Sequence, residues 1–171
     1  MMKITIKSSL AYGLAHRLRT MDGQKVVDAC SEAGYDAIKA VRKNLSIVKK
    51  IMDANHVFVE AVEETEKKKR DVFAEIKAKY DKEVIGKSKE EAAKMARDLQ
   101  LEFNIRAAEI QKESKAEPDT MIDVKISNEE YENVLLPVFK QTVQMWDVNG
   151  DGKGQELFLE VADALTAAQE I

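Results

Sequence analysis

The opening stretch "KITIK" alternates, with Ile4 and Ile6 on one side and Lys3, Thr5 and Lys7 on the other, which predicts a short half-buried strand. Ser8 or Ser9 then offers an N-cap, and Leu10, Leu14, Leu18 and Met21 fall on one face of a helix that "DG" at 22–23 stops. From Ile38 the apolar positions change period. Ile38, Val41, Leu45, Val48, Met52, Asn55, Val59 and Val62 recur at alternating steps of three and four, meet Glu66 and Lys69, and resume with Phe73, Ile76 and Tyr80. That spacing keeps one stripe turned toward a partner helix, and Ile51 and Phe58 widen it beyond a two-stranded zipper. An unbroken helix over 35–82 would reach roughly 70 Å, with Gly34 a point of bending near its start.

"IGKSKEE" supplies a turn, and Ser88 with Glu91 fits a capping box opening a helix whose face carries Ala92, Ala96, Leu99, Phe103, Ala107 and Ile110. The short connection predicts that this helix folds back as a hairpin. Pro118 ends the helical pattern, and Ile122, Val124 and Ile126 alternate with Asp123 and Lys125 as a second strand. Two strands alone are marginal in water, so either they pair under a covering helix or a second subunit completes the sheet. "SNEE" repeats the capping box at Ser127 and Glu130, Tyr131, Val134, Leu135, Val138 and Phe139 continue an apolar face, and Pro137 should kink or split it. Trp146 closes that segment, and a last amphipathic helix carries Leu157, Phe158, Val161, Ala162 and Leu165.

These elements predict a mainly α chain with a minor β element: a long helical hairpin with a heptad seam, two short strands and a C-terminal helix pair. The expected organisation is a single domain over 1–171, with strand plus helix at 1–34, the hairpin at 35–113, a strand at 118–127 and a helix–loop–helix at 128–171. Composition agrees: charged residues are 34% and aromatics 6%, with 7 Gly and 2 Pro, the mix of long helices. The net charge of −4 gives no general attraction to nucleic acid. One cysteine, Cys30, excludes an internal disulfide and a CxxC metal site. No apolar run approaches the roughly 20 residues of a membrane span, and the N-terminal stretch has no apolar signal region, so a cytoplasmic location is expected.

One stretch resembles a site. In "DVNGDGKGQELF", Asp147, Asn149, Asp151 and Gly152 fill positions 1, 3, 5 and 6 of an EF-hand loop, with Lys153 and Gln155 next in order. Position 12, where a bidentate Glu belongs, is Phe158, so calcium is at most a weak ligand and a Gly/Asn/Asp turn between helices is the plainer reading. His16 and His56 are isolated and support neither metal nor acid–base chemistry. The basic run Lys67–Arg70 reads as a solvated face with pairs such as Glu63–Lys67 and Glu66–Arg70. No P-loop, GxGxxG, nucleophile elbow or HExxH pattern is present, and no catalytic residue is assigned.

The order of parts resembles a group of small proteins encoded by tailed bacteriophages. The similarity rests on Tyr35, Ile38, Lys43, Asn44 and Leu45, and on Glu102, Phe103 and Asn104 leading to the strand Val124–Ile126, over about residues 1–130. The resemblance implies a viral accessory protein acting in the bacterial host cytoplasm, and implies no activity or site residue. The expected function is therefore a non-enzymatic helical interaction or assembly module, whose partner is itself, as a homo-oligomer, or a bacterial host protein. A protein sequestering a small nucleotide signal in a counter-defence role is the alternative, followed by a weak EF-hand-like calcium binder.

Overall fold

The computed structural model describes every residue except 32, 33 and 35. Tyr35, part of the resemblance and the expected helix start, lies outside the described residues. The chain is mainly helical with a small antiparallel sheet and divides into two compact units. The first comprises Met1–Phe58 and Glu117–Ile171, the second Val59–Ala116.

In the first unit, β1 (Met2–Lys7) pairs with β2 (Met121–Ile126), setting Ile4 opposite Val124 and Ile6 opposite Ile122. Period-two alternation buries Ile4, Ile6, Val124 and Ile126, while Thr5 Oγ1 donates to Asp123 Oδ1 at 2.6 Å. A third strand, β3 (Gln169–Glu170), adds to the other edge of β1 opposite Met2 and Lys3. Two residues show no alternation, so sequence pattern could not reveal it.

Helix α1 (Ser8–Thr20) follows β1 without a break and buries Leu10, Ala11, Leu14, Ala15 and Leu18. Neither Ser8 nor Ser9 is its N-cap: the cap is Lys7, and both hydroxyls instead donate across the unit, to the carbonyls of Thr120 and Pro118. After it, Asp22 accepts from Gln24 N and caps a helix the apolar pattern did not announce, α2 (Gly23–Cys30), which buries Val26 and Cys30.

The expected 35–82 helix is two helices. α3 (Ala37–Ala54), capped by Asp36, ends at Asn55, and α4 (His56–Glu83) begins after it. The buried stripe of α3 is also rotated from the expected one. Ala40, Asn44, Ile47, Val48 and Ile51 face the core, whereas Ile38 and Leu45 are more than half exposed. The reason is polar. Asn44 Nδ2 donates to Leu18 O near the C-terminal end of α1 at 3.0 Å, and Asn55 Nδ2 donates to Ser8 O at 2.9 Å. Two asparagines are thus buried because they meet backbone carbonyls at both ends of α1; Asn55 keeps its place on the expected stripe, whereas burial of Asn44 turns α3 so that Ile38 and Leu45 face outward.

Beyond β2, the capping box of Ser127 and Glu130 starts α6 (Asn128–Glu130), which runs into a π-helical turn, Tyr131–Leu135, and then α7 (Leu136–Lys140). Pro137 follows the π-helical turn inside this continuous run, and the chain widens just before the residue that has no N–H to donate. Val134, Leu135, Val138 and Phe139 complete the core with Trp146 from α8 (Val143–Trp146) and Val161 and Leu165 from α9 (Lys153–Thr166).

The second unit is the hairpin of α4 with α5 (Lys89–Lys112). Ser88 and Glu91 make the expected reciprocal capping box. The expected pairs Glu63–Lys67 and Glu66–Arg70 are replaced by Glu64–Lys68 and Glu66–Lys69. No described helix is long and apolar enough to cross a membrane.

Candidate functional site

The hairpin of the second unit presents two unlike edges. Its inner seam on α4 is Thr65, Lys69, Val72 and Ile76, one residue out of step with the expected Glu66, Lys69, Phe73 and Ile76 over part of its length. The charged run therefore does not interrupt the seam but makes its base polar: Thr65 Oγ1 donates to Ser114 Oγ at 2.9 Å and Lys69 Nζ to Gln111 Oε1 at 2.7 Å. Apolar closure is confined to Val72, Ile76 and Leu99, with Tyr80, Met95, Phe103 and Ile110 partly covered around them. The shift leaves Phe73, expected inside, 52% exposed, its ring edge-on to Phe103 at 5.7 Å.

One edge of the hairpin is charged. Arg106 reaches Glu75 through two hydrogen bonds of 3.0 and 3.1 Å, and Lys68, Asp71, Glu109 and Glu113 border a depression there. The hydrogen bonds from Arg106, and then its charge, hold the Glu75 carboxyl below the ordinary glutamate range. Across the seam lies a groove of about 170 Å³ lined by Phe73, Lys77 and Tyr80 from α4 and by Ala96, Gln100 and Phe103 from α5. Along α5 the positions Ala93, Ala96, Gln100, Phe103 and Ala107 follow at steps of three and four without a charged residue. The stretch around them is dense in charge, which makes the gap a signal. Reading α5 as one apolar face merged this stripe with Leu99, whereas the structure buries Leu99 and leaves Ala96 exposed.

In the first unit a cleft of about 790 Å³ opens beside the start of α3, lined by Asp36, Ile38, Lys39, Arg42, Lys43 and Ser46, with Glu130 at its inner end. Glu129 pairs with Lys39 and Lys43, and Lys50 Nζ donates to both oxygens of Glu130, the closer at 2.6 Å. Burial would raise the pKa of Glu130. The bonds from Lys50 and from Ser127 outweigh that effect and hold it below the ordinary value.

The loop with Asp147, Asn149 and Asp151 joins α8 to α9. Asn149 and Asp151 are exposed, and Asp151 Oδ1 accepts from Lys153 N at 3.1 Å. Asp147 is half-buried, with Oδ1 enclosed and without a hydrogen-bond partner. Gly150 and Gly152 adopt positive φ, and a Cβ on Gly154 would stand 1.9 Å from the carbonyl oxygen of Trp146. Phe158, the position-12 residue, stacks on Phe139 at 4.5 Å and is part of the core wall. Among the described residues, no group of three or more His, Cys, Asp or Glu side chains is placed to hold a metal ion. His16 is exposed, and His56 Nδ1 lies 3.0 Å from Asp53 O. Cys30 is buried, which raises its thiol pKa and lowers its reactivity.

Comparison with protein-family models, with curated proteins and with solved structures finds no match to this chain.

Proposed function

We propose that the protein is a non-enzymatic interaction and assembly module, and that the α4–α5 hairpin is its contact surface. The observation that carries this reading is how little of the hairpin is enclosed. Of the 24 residues of α5, Leu99 alone is buried, and on α4 Phe73 beside the open stripe is 52% exposed. Helices of this length owe most of their stability to packing, and an amphipathic pair left open on one side gains that packing by receiving another element. The resemblance to phage-encoded proteins fits such a role in a bacterial cytoplasm, as an accessory protein that engages a copy of itself or a host protein.

The test is in-cell cross-linking of the full chain, followed by mass spectrometry, for the parent and for Ala96→Glu. A charge placed on the open stripe should remove adducts that map to α4 and α5, and leave those from the first unit unchanged. Adducts that map only to the first unit in both proteins would reject the hairpin as the contact surface.

A second reading, sequestration of a small nucleotide signal, is favoured by the cleft beside α3. Its volume suits a small ligand, and Arg42 lines it beside Lys39 and Lys43, which pair with Glu129. Calorimetric titration with cyclic mono- and dinucleotides tests it. Saturable binding lost in Arg42→Glu supports the cleft, and flat titrations dismiss it.

A further inference from the structure

We infer that the occupant of the hairpin's open face is a second copy of the same face, so that α4 and α5 of two molecules close a four-helix bundle. This rests on the hairpin being the contact surface and adds the identity of the partner. Three observations converge on it.

The first is charge. Residues 59–116 contain fourteen basic and fourteen acidic side chains, so the whole net charge of −4 belongs to the rest of the chain. A unit without net charge meets its own copy without net repulsion. The α5 stripe Ala93, Ala96, Gln100, Phe103 and Ala107 carries no charge to desolvate, and Lys77 on the α4 side of the groove is already paired with Asp81 at 2.6 Å.

The second is shape. The face combines large residues, Phe73 and Tyr80 on α4 and Phe103 on α5, with small ones on α5, Ala93, Ala96 and Ala107. Turned about a two-fold axis, the large residues of one copy meet the small residues of the other, the knob-and-hole pairing of helical bundles. A face of uniformly large or uniformly small residues could not complement itself in this way.

The third is area. At about 1.5 Å per residue, α5 is roughly 36 Å long, and two helices side by side offer a strip about 20 Å wide, hence roughly 700 Å² per molecule. That is close to the roughly 800 Å² per partner of a standard stable interface. A single added peptide helix would cover about half of it.

Sedimentation equilibrium of the full chain tests the proposal, run at about 50 µM, well above a micromolar dissociation constant. The expected mass is twice 19.3 kDa. Ala96→Glu and Phe73→Glu should each bring it to the monomer value with at least a tenfold weaker association, and with helical circular dichroism unchanged, because both positions are exposed in the single chain. Asp71→Ala, on the charged edge, should leave the mass at that of the dimer. A monomer mass for the parent chain, or a dimer that ignores both Glu variants, overturns self-docking. The same samples in the cross-linking assay separate the two ideas: a monomeric parent that still forms hairpin adducts sensitive to Ala96→Glu sinks the second copy while keeping the hairpin as contact surface. A monomeric parent without such adducts sinks both.

Discussion

Helices α1 and α3 of the first unit bring their backbones within 8 Å repeatedly along their length, while α4 and α5 of the second seldom do so. Among the described residues, the first unit gathers 22 buried side chains into one core, and the hairpin gathers three. Local helix-forming signals do not account for the contrast, since the hairpin has a full capping box, many Ala, Glu and Lys residues and several ion pairs at helical spacing. What differs is enclosure. The first unit surrounds α1 with a sheet, α3, α7 and α9, so its apolar stripe is covered from several sides. Two helices cover only a line on each other. Propensity and caps can make a helix, but a third element is needed to make a core.

The strongest way to break this comparison is to empty the same volume in each unit. Leu135→Ala removes a fully buried side chain from the first unit and should cost about 4 kcal/mol by chemical denaturation. Leu99→Ala, whose neighbours are only partly covered, should cost about 2 kcal/mol, because the surroundings can relax toward solvent. Equal losses would mean that the hairpin is enclosed as tightly as the first unit.

A glycine in each unit sharpens it next. Gly86 in the hairpin turn has φ +78° with open space around it, whereas Gly154, at ordinary φ, lies against the Trp146 backbone. Gly154→Ala cannot be accommodated without moving that backbone and should cost about 3 kcal/mol, followed through Trp146 fluorescence during thermal unfolding. Gly86→Ala meets only the left-handed backbone penalty of about 1–2 kcal/mol. A harmless Gly154→Ala would refute the close approach.

Buried and exposed ion pairs separate the units a third time. Glu130 is 6% exposed and bound by Lys50 and Ser127, so Glu130→Gln should cost about 1–3 kcal/mol at neutral pH. Its folded pKa lies below the ordinary 4.5, so its contribution is full above that pH and is lost as pH falls through the lower, folded value. The parent should lose stability below about pH 4.5 more steeply than Glu130→Gln, as read from urea midpoints. The Glu75–Arg106 pair is screened by water, and Arg106→Ala should leave the hairpin's melting nearly unchanged at physiological salt. Identical acid profiles for the parent and Glu130→Gln would remove Glu130 from the account.

Much of this was legible beforehand. The strands at 3–7 and 122–126, both capping boxes and the fold-back after residue 88 follow from local rules that act within a few residues. The hidden parts are those settled by distant partners. Asn44 looks like a surface residue, and Asn55 like a lone polar residue on an apolar stripe, until Leu18 and Ser8 offer carbonyls to them, and the choice at Asn44 sets the rotation of α3. Thr65 and Lys69 look like a break in a seam until Ser114 and Gln111 stand opposite. The open stripe of α5 was masked because Ala96 and Leu99 read alike as apolar, although about 60° around the helix separates an exposed position from a buried one.

The smallest expected effect concerns the loop that most resembles chemistry. Asp147, Asn149 and Asp151 offer two carboxylates and one neutral oxygen, and Phe158 is committed to the ring stack with Phe139 instead of offering a bidentate carboxylate. Turning that position toward a cation would take an aromatic ring out of the core, at a cost of about 3 kcal/mol or more. Asp151 already accepts from the start of α9, and a cation would have to compete with that bond. Calcium affinity should therefore be millimolar or weaker, and the melting temperature should move by less than about 2 °C in 1 mM calcium. Trp146, just before the loop, reports on it directly, and Asp151→Ala should leave its calcium titration flat, as in the parent. A saturable change at lower calcium that Asp151→Ala abolishes would turn this turn into a metal site and remove the contrast between a chemical loop and an inert one.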